Sequence, residues 1–252
     1  TAYVYAKRGK NRLKIEVNVY DTKNILLIVG DSRMDHFKDD NEFNSTDRYE
    51  IKYIDNGEKL KNFERLYVVS LSGMSYNWLV GDDGYKENNA RNYVKEIIKE
   101  YEKKTTVNLK YNIKILFNLG VNDLRHEVLT TTPKEVALKY LETLENYMSE
   151  EWKSEIINSI SLNMVTLFPT QDEQTSCYFP GRYNKDVIEF NNTIKEKSKF
   201  TVCDAYYNVH FTDDSFRKKD DKSCAKRDGL HFEKELNQNE LYEYLVNVCP
   251  KK

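Results

Sequence analysis

The sequence predicts a three-layer α/β/α sandwich built on a mainly parallel sheet. Three observations carry that prediction. Several apolar runs show no alternation of polar and apolar residues, the pattern of strands buried on both faces. Between them lie segments whose apolar residues recur at three- and four-residue steps, as in helices with one buried face. Three of the runs also end at a glycine-bearing polar turn, at the carboxyl edge of a parallel sheet, where open α/β folds place their chemistry.

Taken in order, residues Thr1–Asp21 differ from the rest. Leu13, Ile15, Val17 and Val19 alternate with Lys14, Glu16 and Asn18, and Arg8-Gly9-Lys10-Asn11 reads as a turn, so the segment is expected to be a β-hairpin with one solvated face. Residues 1–23 are therefore assigned to an N-terminal β extension, either the tail of an upstream domain or an added edge, and residues 24–252 to the main domain. That domain opens with Ile25–Val29, five apolar residues running into Gly30-Asp31-Ser32-Arg33. Ile51–Ile54 is a short candidate strand, and Leu66–Leu71 another, ending in Ser72-Gly73. Ala90, Tyr93, Val94, Ile97, Ile98 and Tyr101 mark one helix face. Ile113–Leu119 then enters Gly120-Val121-Asn122-Asp123, and a helix follows from Pro133. A strand is expected over Ile160–Phe168, stopped by Pro169, then a loop to Tyr183, a helix over Asn184–Lys197 and a last strand over Phe200–Tyr206. A polar loop from Asn208 to Arg227 leads to Asp228-Gly229-Leu230-His231. A closing helix presents Leu241, Tyr244, Leu245 and Val248.

Composition narrows the function classes. In 252 residues, 39 Lys and Arg nearly balance 41 Asp and Glu, so the overall field argues for neither a nucleic acid nor an anionic membrane as partner. No apolar run approaches the length of a membrane span. The chain begins at Thr1 without a signal-like segment and reads as a mature or excised fragment. Cys177, Cys203, Cys224 and Cys249 lack metal-ligand spacing. They are either isolated thiols or, in an exported protein, disulfides in one of three connectivities, of which Cys177 with Cys224 would join two long loops.

Four polar blocks thus stand at strand ends or on the last long loop: Gly30-Asp31-Ser32, Gly73, Gly120-Val121-Asn122-Asp123 and Asp228-Gly229-Leu230-His231. In this ordered set the chain resembles the SGNH hydrolases, the GDSL esterase/lipase superfamily, over roughly Ile25 to His231. The resemblance implies a flavodoxin-like sheet and a serine esterase that needs no cofactor, and no metal site is seen. Ser32 would be the nucleophile. A hydroxyl attacks an ester poorly unless a base lies within hydrogen-bond reach, and His231 is that base. Asp228, three residues earlier, would orient the imidazole. By the same resemblance the backbone N–H groups of Ser32 and Gly73 and the side-chain amide of Asn122 would hold the oxyanion. Gly73 would let substrate approach its amide closely, and Asn122 must turn its NH₂ toward the substrate.

Arg33 stands where the family's name-giving tetrad has Leu. It either meets an anionic group on the substrate or pairs with a neighbouring acid such as Asp35, the structural option leading. Trp78, five residues after Gly73, suggests a stacking platform for a sugar ring. Asp31 is expected to orient the turn, and His36, His126 and His210 to be structural or exposed. The expected activity is removal of small acyl groups, acetyl foremost, from a carbohydrate or cell-wall glycan. An O-acyltransferase, a lysophospholipase or thioesterase, and a non-catalytic binding module are the alternatives. Export from the cell is the expected location, with the cytoplasm as the other option.

Overall fold

A computed structural model describes residues 2–17, 20–34, 48–51, 60, 62–82, 84–103, 109–127, 129–150, 157–172, 177–219, 227–233 and 240–249. Strands β1 (Ala2–Arg8) and β2 (Asn11–Val17) pair as an antiparallel hairpin across Gly9-Lys10, a sheet of its own. The main sheet has six strands: β3 (Asp21–Gly30), β4 (Arg48–Ile51), β5 (Arg65–Ser70), β6 (Leu109–Asn118), β7 (Ile157–Val165) and β8 (Thr201–Cys203). Their spatial order is β4-β5-β3-β6-β7-β8, with β4 antiparallel and every other pair parallel. Leaving out the antiparallel edge, this is the 2-1-3-4-5 order of flavodoxin-like sheets, in which the chain reverses its direction of growth beside the first strand. That first strand is β3, and Ser32 follows it.

The unbroken apolar run of β3 has a direct structural reason. Ile25, Leu27 and Val29 enter one core layer with Tyr67, Ile97, Tyr140 and Phe190, while Leu26 and Ile28 enter the other with Leu66, Val68, Leu116 and Leu245. Helices α2 (Ala90–Glu102), α3 (Pro133–Glu150) and α4 (Asn184–Lys197) supply the first layer. The starts of α2 and α3 are fixed locally. The Asn89 side chain accepts from the Asn92 amide to cap α2. At α3, Thr132 and Glu135 exchange side-chain to backbone hydrogen bonds around Pro133. No helix among the described residues is long and apolar enough to cross a membrane.

Several boundaries differ from the sequence reading. The fourth strand lies at Arg48–Ile51, ahead of the expected Ile51–Ile54, whose last three residues fall outside the described set. The last sheet strand is only Thr201–Cys203; the chain then turns through α5 (Ala205–Asn208), because Asn208 and Val209 donate back to Asp204 and Ala205. The polar loop contains β9 (Phe216–Lys218), which pairs antiparallel with β10 (Arg227–Phe232). The closing element α6 (Glu243–Val248) is π-helical. Its wider turn breaks the 3.6-residue register: Val248, expected inside, is exposed, and Tyr242, Val246 and Cys249 are buried with Leu241, Tyr244 and Leu245.

The described cysteines are not isolated thiols. Cys203 at the end of β8 is bonded to Cys249 at the end of α6, 46 residues away, and Cys177 is also in a disulfide. The expected pairing of Cys177 with Cys224 involves a residue outside the described set. Closing a loop of this length should stabilise the fold by about 4 kcal/mol. The double variant Cys203→Ala/Cys249→Ala is therefore expected to lose about 2–4 kcal/mol in urea unfolding. An unchanged midpoint would show that the cross-link is energetically idle.

Candidate active site

The site forms where the carboxyl ends of β5, β3 and β6 lie side by side. Gly30 ends β3 with no room for a side chain, since a Cβ there would sit 2.3 Å from Met34 Cγ. The chain then turns, Met34 N–H donating to Asp31 O, and Ser32 rides on that turn with only 8% of its surface exposed. Asp31 is wholly buried, and its Oδ1 accepts from the Arg33 backbone amide, as expected of a residue that orients the turn.

His231 and Asp228 arrive on β10. In a regular strand, residues three apart point to opposite faces, so Asp228 and His231 could not meet. The β9–β10 register is irregular here, and Gly229 adopts φ +69°, a conformation that favours glycine. The distortion lets Asp228 Oδ1 accept from the Leu230 and His231 amides at 3.0 and 2.8 Å, while Oδ2 reaches His231 Nδ1 at 3.1 Å. His231 Nε2 lies 2.9 Å from Ser32 Oγ. With Nδ1–H committed to the carboxylate, Nε2 carries the lone pair and the serine hydroxyl donates to it. Arg217 Nε also donates to Asp228 Oδ2 at 3.1 Å. Burial pushes the Asp228 carboxyl upward, but the hydrogen bonds from the His231 side chain and the Leu230 and His231 amides outweigh it. They hold the group below the usual aspartate range.

The expected oxyanion groups lie on the turns that follow β5 and β6, the two strands paired with β3. Gly73 follows β5 with φ +77°, and a Cβ there would meet nothing within 4 Å. The positive φ gives a conformational reason for glycine here, beside the close approach of substrate that the sequence reading expects. Asn122 sits in the turn after β6, 8% exposed. Its Nδ2 donates to Met74 O at 2.8 Å and its Oδ1 accepts from Arg182 Nη2 at 3.0 Å. Asp123 fixes the same two turns from behind, accepting from the Tyr76 backbone amide and from Tyr140 O–H at 2.7 Å. Burial raises its carboxyl pKa against those hydrogen bonds.

Two expected substrate contacts are corrected. Arg33 is completely buried: Nη1 donates to Phe168 O at 3.0 Å, and the guanidinium faces Asp31 Oδ1 at 3.5 Å and the Phe168 ring. It pairs with Asp31; Asp35, the acid named from the sequence, lies outside the described residues. Trp78 is also fully buried, on α1 (Tyr76–Val80), with Nε1 donating to Asn88 O. It fills the core and offers no face to a sugar. His126 pairs with Asp186 at 2.8 Å, His210 is exposed, and His36 lies outside the described residues.

Sequence reasoning missed three residues at the site. Arg217 contacts the acid, Phe179 sets its ring edge-on to His231 with centroids 4.9 Å apart, and Arg182 holds Asn122. All three fall in stretches that the sequence reads as polar loops without periodicity, although Arg217 is on β9, so nothing local distinguishes them. Among the described residues no group of three or more His, Cys, Asp or Glu side chains is placed to hold a metal ion.

A family profile described as GDSL-like lipase/acylhydrolase matches residues 26–239. Among solved structures, the chain is similar to the native aryl esterase of M. smegmatis, at 16% identity and a TM-score of 0.54, covering 90% of this chain and 99% of that one. It is also similar to a carbohydrate acetylesterase from Sinorhizobium meliloti, at 15% identity and a TM-score of 0.51, covering 91% and 98%. At these identities the likeness is one of fold. No curated protein matches the chain in sequence.

Proposed function

The chain belongs to the GDSL-like lipase/acylhydrolase family of ester-hydrolysing enzymes, and from that premise we propose that it is a serine esterase that removes small acyl groups, acetyl foremost, from an acylated carbohydrate. The observation that carries the serine mechanism is the continuous relay Ser32 Oγ–His231 Nε2, His231 Nδ1–Asp228 Oδ2, at 2.9 and 3.1 Å. As Ser32 attacks the ester carbonyl, His231 takes its proton and Asp228 stabilises the imidazolium. The carbonyl oxygen becomes an oxyanion facing the Ser32 and Gly73 amides and the Asn122 NH₂. His231 then gives the proton to the departing alkoxide, leaving acyl-Ser32. Water, deprotonated by the same histidine, releases the acid.

The preference for a short acyl group on a sugar has more general support, including the likeness to the S. meliloti carbohydrate acetylesterase. The Cys203–Cys249 disulfide supports an oxidising compartment and hence an exported protein.

The experiment is a series of p-nitrophenyl esters from acetate to palmitate, run beside acetate release from acetylated xylan and acetylated peptidoglycan. The expected result is a kcat/KM that falls at least about tenfold from acetate to octanoate, together with acetate release from one glycan. An optimum at long chains would replace this reading with a lysophospholipase or thioesterase. Acyl transfer to sugar hydroxyls in preference to water would replace it with an O-acyltransferase.

A further inference from the structure

We infer that Arg182 is a positioning residue for ester hydrolysis, setting which end of the Asn122 amide faces the developing oxyanion. An asparagine side chain has a donating and an accepting end of nearly equal size. Turned one way it stabilises an oxyanion; turned the other it repels one. Two neighbours decide the matter here. Arg182 Nη2 donates to Oδ1 at 3.0 Å, and Met74 O accepts from Nδ2 at 2.8 Å. A guanidinium has only donors and a backbone carbonyl only lone pairs. The reversed amide would therefore lose both hydrogen bonds and set like against like at both ends. With one Nδ2 hydrogen on Met74 O, the second remains for substrate. Cationic hydrogen bonding to Oδ1 also polarises the amide and strengthens its N–H donors.

The protein holds this guanidinium in place at a cost. Arg182 is only 9% exposed, and burial, reinforced by Arg125, lowers its pKa to about 10; it remains cationic at neutral pH. Its backbone is anchored next door, where Gly181 at φ +78° accepts from the His126 amide at 2.8 Å. Phe179, which packs on His231, lies 5.9 Å beneath the Arg182 guanidinium. One short segment, residues 177–182, thus reaches both the base and the oxyanion amide.

This inference rests on Asn122 being an oxyanion donor, so the test separates the two. Steady-state hydrolysis of p-nitrophenyl acetate is measured for the wild type, Asn122→Ala, Arg182→Met, the double variant and Arg182→Lys, with thermal unfolding recorded for each. Asn122→Ala is expected to lower kcat about 10²-fold. Arg182→Met should lower kcat at least about tenfold while KM moves less than about threefold, because the interaction matters only in the transition state. In the Asn122→Ala background, Arg182→Met should cost less than about twofold more. Arg182→Lys, which keeps a cationic donor, should recover most of kcat. A folded Arg182→Met with wild-type kcat overturns the inference, as does an undiminished loss in the double variant. Wild-type kcat in Asn122→Ala would remove the oxyanion reading and the inference with it. Should Arg182→Met fail to fold, a tenfold loss in Arg182→Lys that persists without Asn122 overturns the inference equally.

Discussion

Replacing Ser32 with alanine is expected to abolish nearly all turnover of short esters, lowering kcat by about 10⁴-fold or more with little change in KM. The magnitude follows from what the site would retain. Without the hydroxyl no acyl-enzyme forms, and only water attack assisted by the amides of residue 32 and Gly73 and by Asn122 remains. Alanine keeps the residue 32 backbone amide and introduces no bulk into a position with 8% exposure. Unfolding curves should therefore coincide with the wild type, separating lost chemistry from lost structure. Residual activity above about one per cent would mean that a group other than Ser32 is the nucleophile.

Asp228→Asn is expected to cost about 10⁴-fold in kcat while leaving Ser32 and His231 in place. The amide oxygen can still accept from Leu230 and His231 N–H, which now meet Oδ1 at 3.0 and 2.8 Å. Its NH₂ then replaces Oδ2 and points a donor at His231 Nδ1. The imidazole must answer by moving its proton to Nε2, where it can no longer accept from Ser32. Arg217, 3.1 Å from the same position, would also face a donor instead of a carboxylate. The substitution has a signature in stability as well. Asp228 titrates below the usual aspartate range when folded, so its ionised form stabilises the native state above that range. That contribution is lost as pH falls through the folded-state value. Acid unfolding as pH falls through and below the usual aspartate range should accordingly be shallower in Asp228→Asn than in the wild type. Parallel curves would show that the carboxylate contributes no such linkage.

The sequence made some of this legible for a physical reason. A strand buried on both faces must be apolar throughout, and Ile25–Val29 announced both β3 and the central place of Ser32. Helix α2 was legible from the periodic face Ala90, Val94, Ile97, Ile98 and Tyr101, which is buried, and α3 from Pro133 in its first turn. Blocks of polar residues at strand ends named Ser32, Gly73, Asn122, Asp228 and His231 as candidates.

What escaped depended on distant parts of the chain. Asp228 and His231 were expected on a loop; an irregular strand with Gly229 at φ +69° brings them to one side, and no periodicity signals that. Trp78 was mistaken for a surface aromatic because its nearness to Gly73 in sequence does not reveal the Asn88 carbonyl that satisfies its N–H. Arg33 was weighed as a substrate contact although its acid partner, Asp31, was two residues away, since charge in a sequence carries no measure of burial. The Cys203–Cys249 connectivity follows from β8 meeting the π-helical end of α6, which spacing does not encode. Arg182 is the plainest case, a single arginine in a polar loop whose role exists only through its distance to Asn122.

The most direct test of the central claim is the mass of the intact protein after treatment with a fluorophosphonate, which reacts with serine nucleophiles activated by a neighbouring base. The expected result is one covalent adduct per chain, mapped by fragmentation to Ser32, absent in Ser32→Ala and formed much more slowly in Asp228→Asn. An adduct on another residue, or none under conditions in which the enzyme hydrolyses p-nitrophenyl acetate, would contradict the assignment of Ser32, His231 and Asp228 as the catalytic machinery.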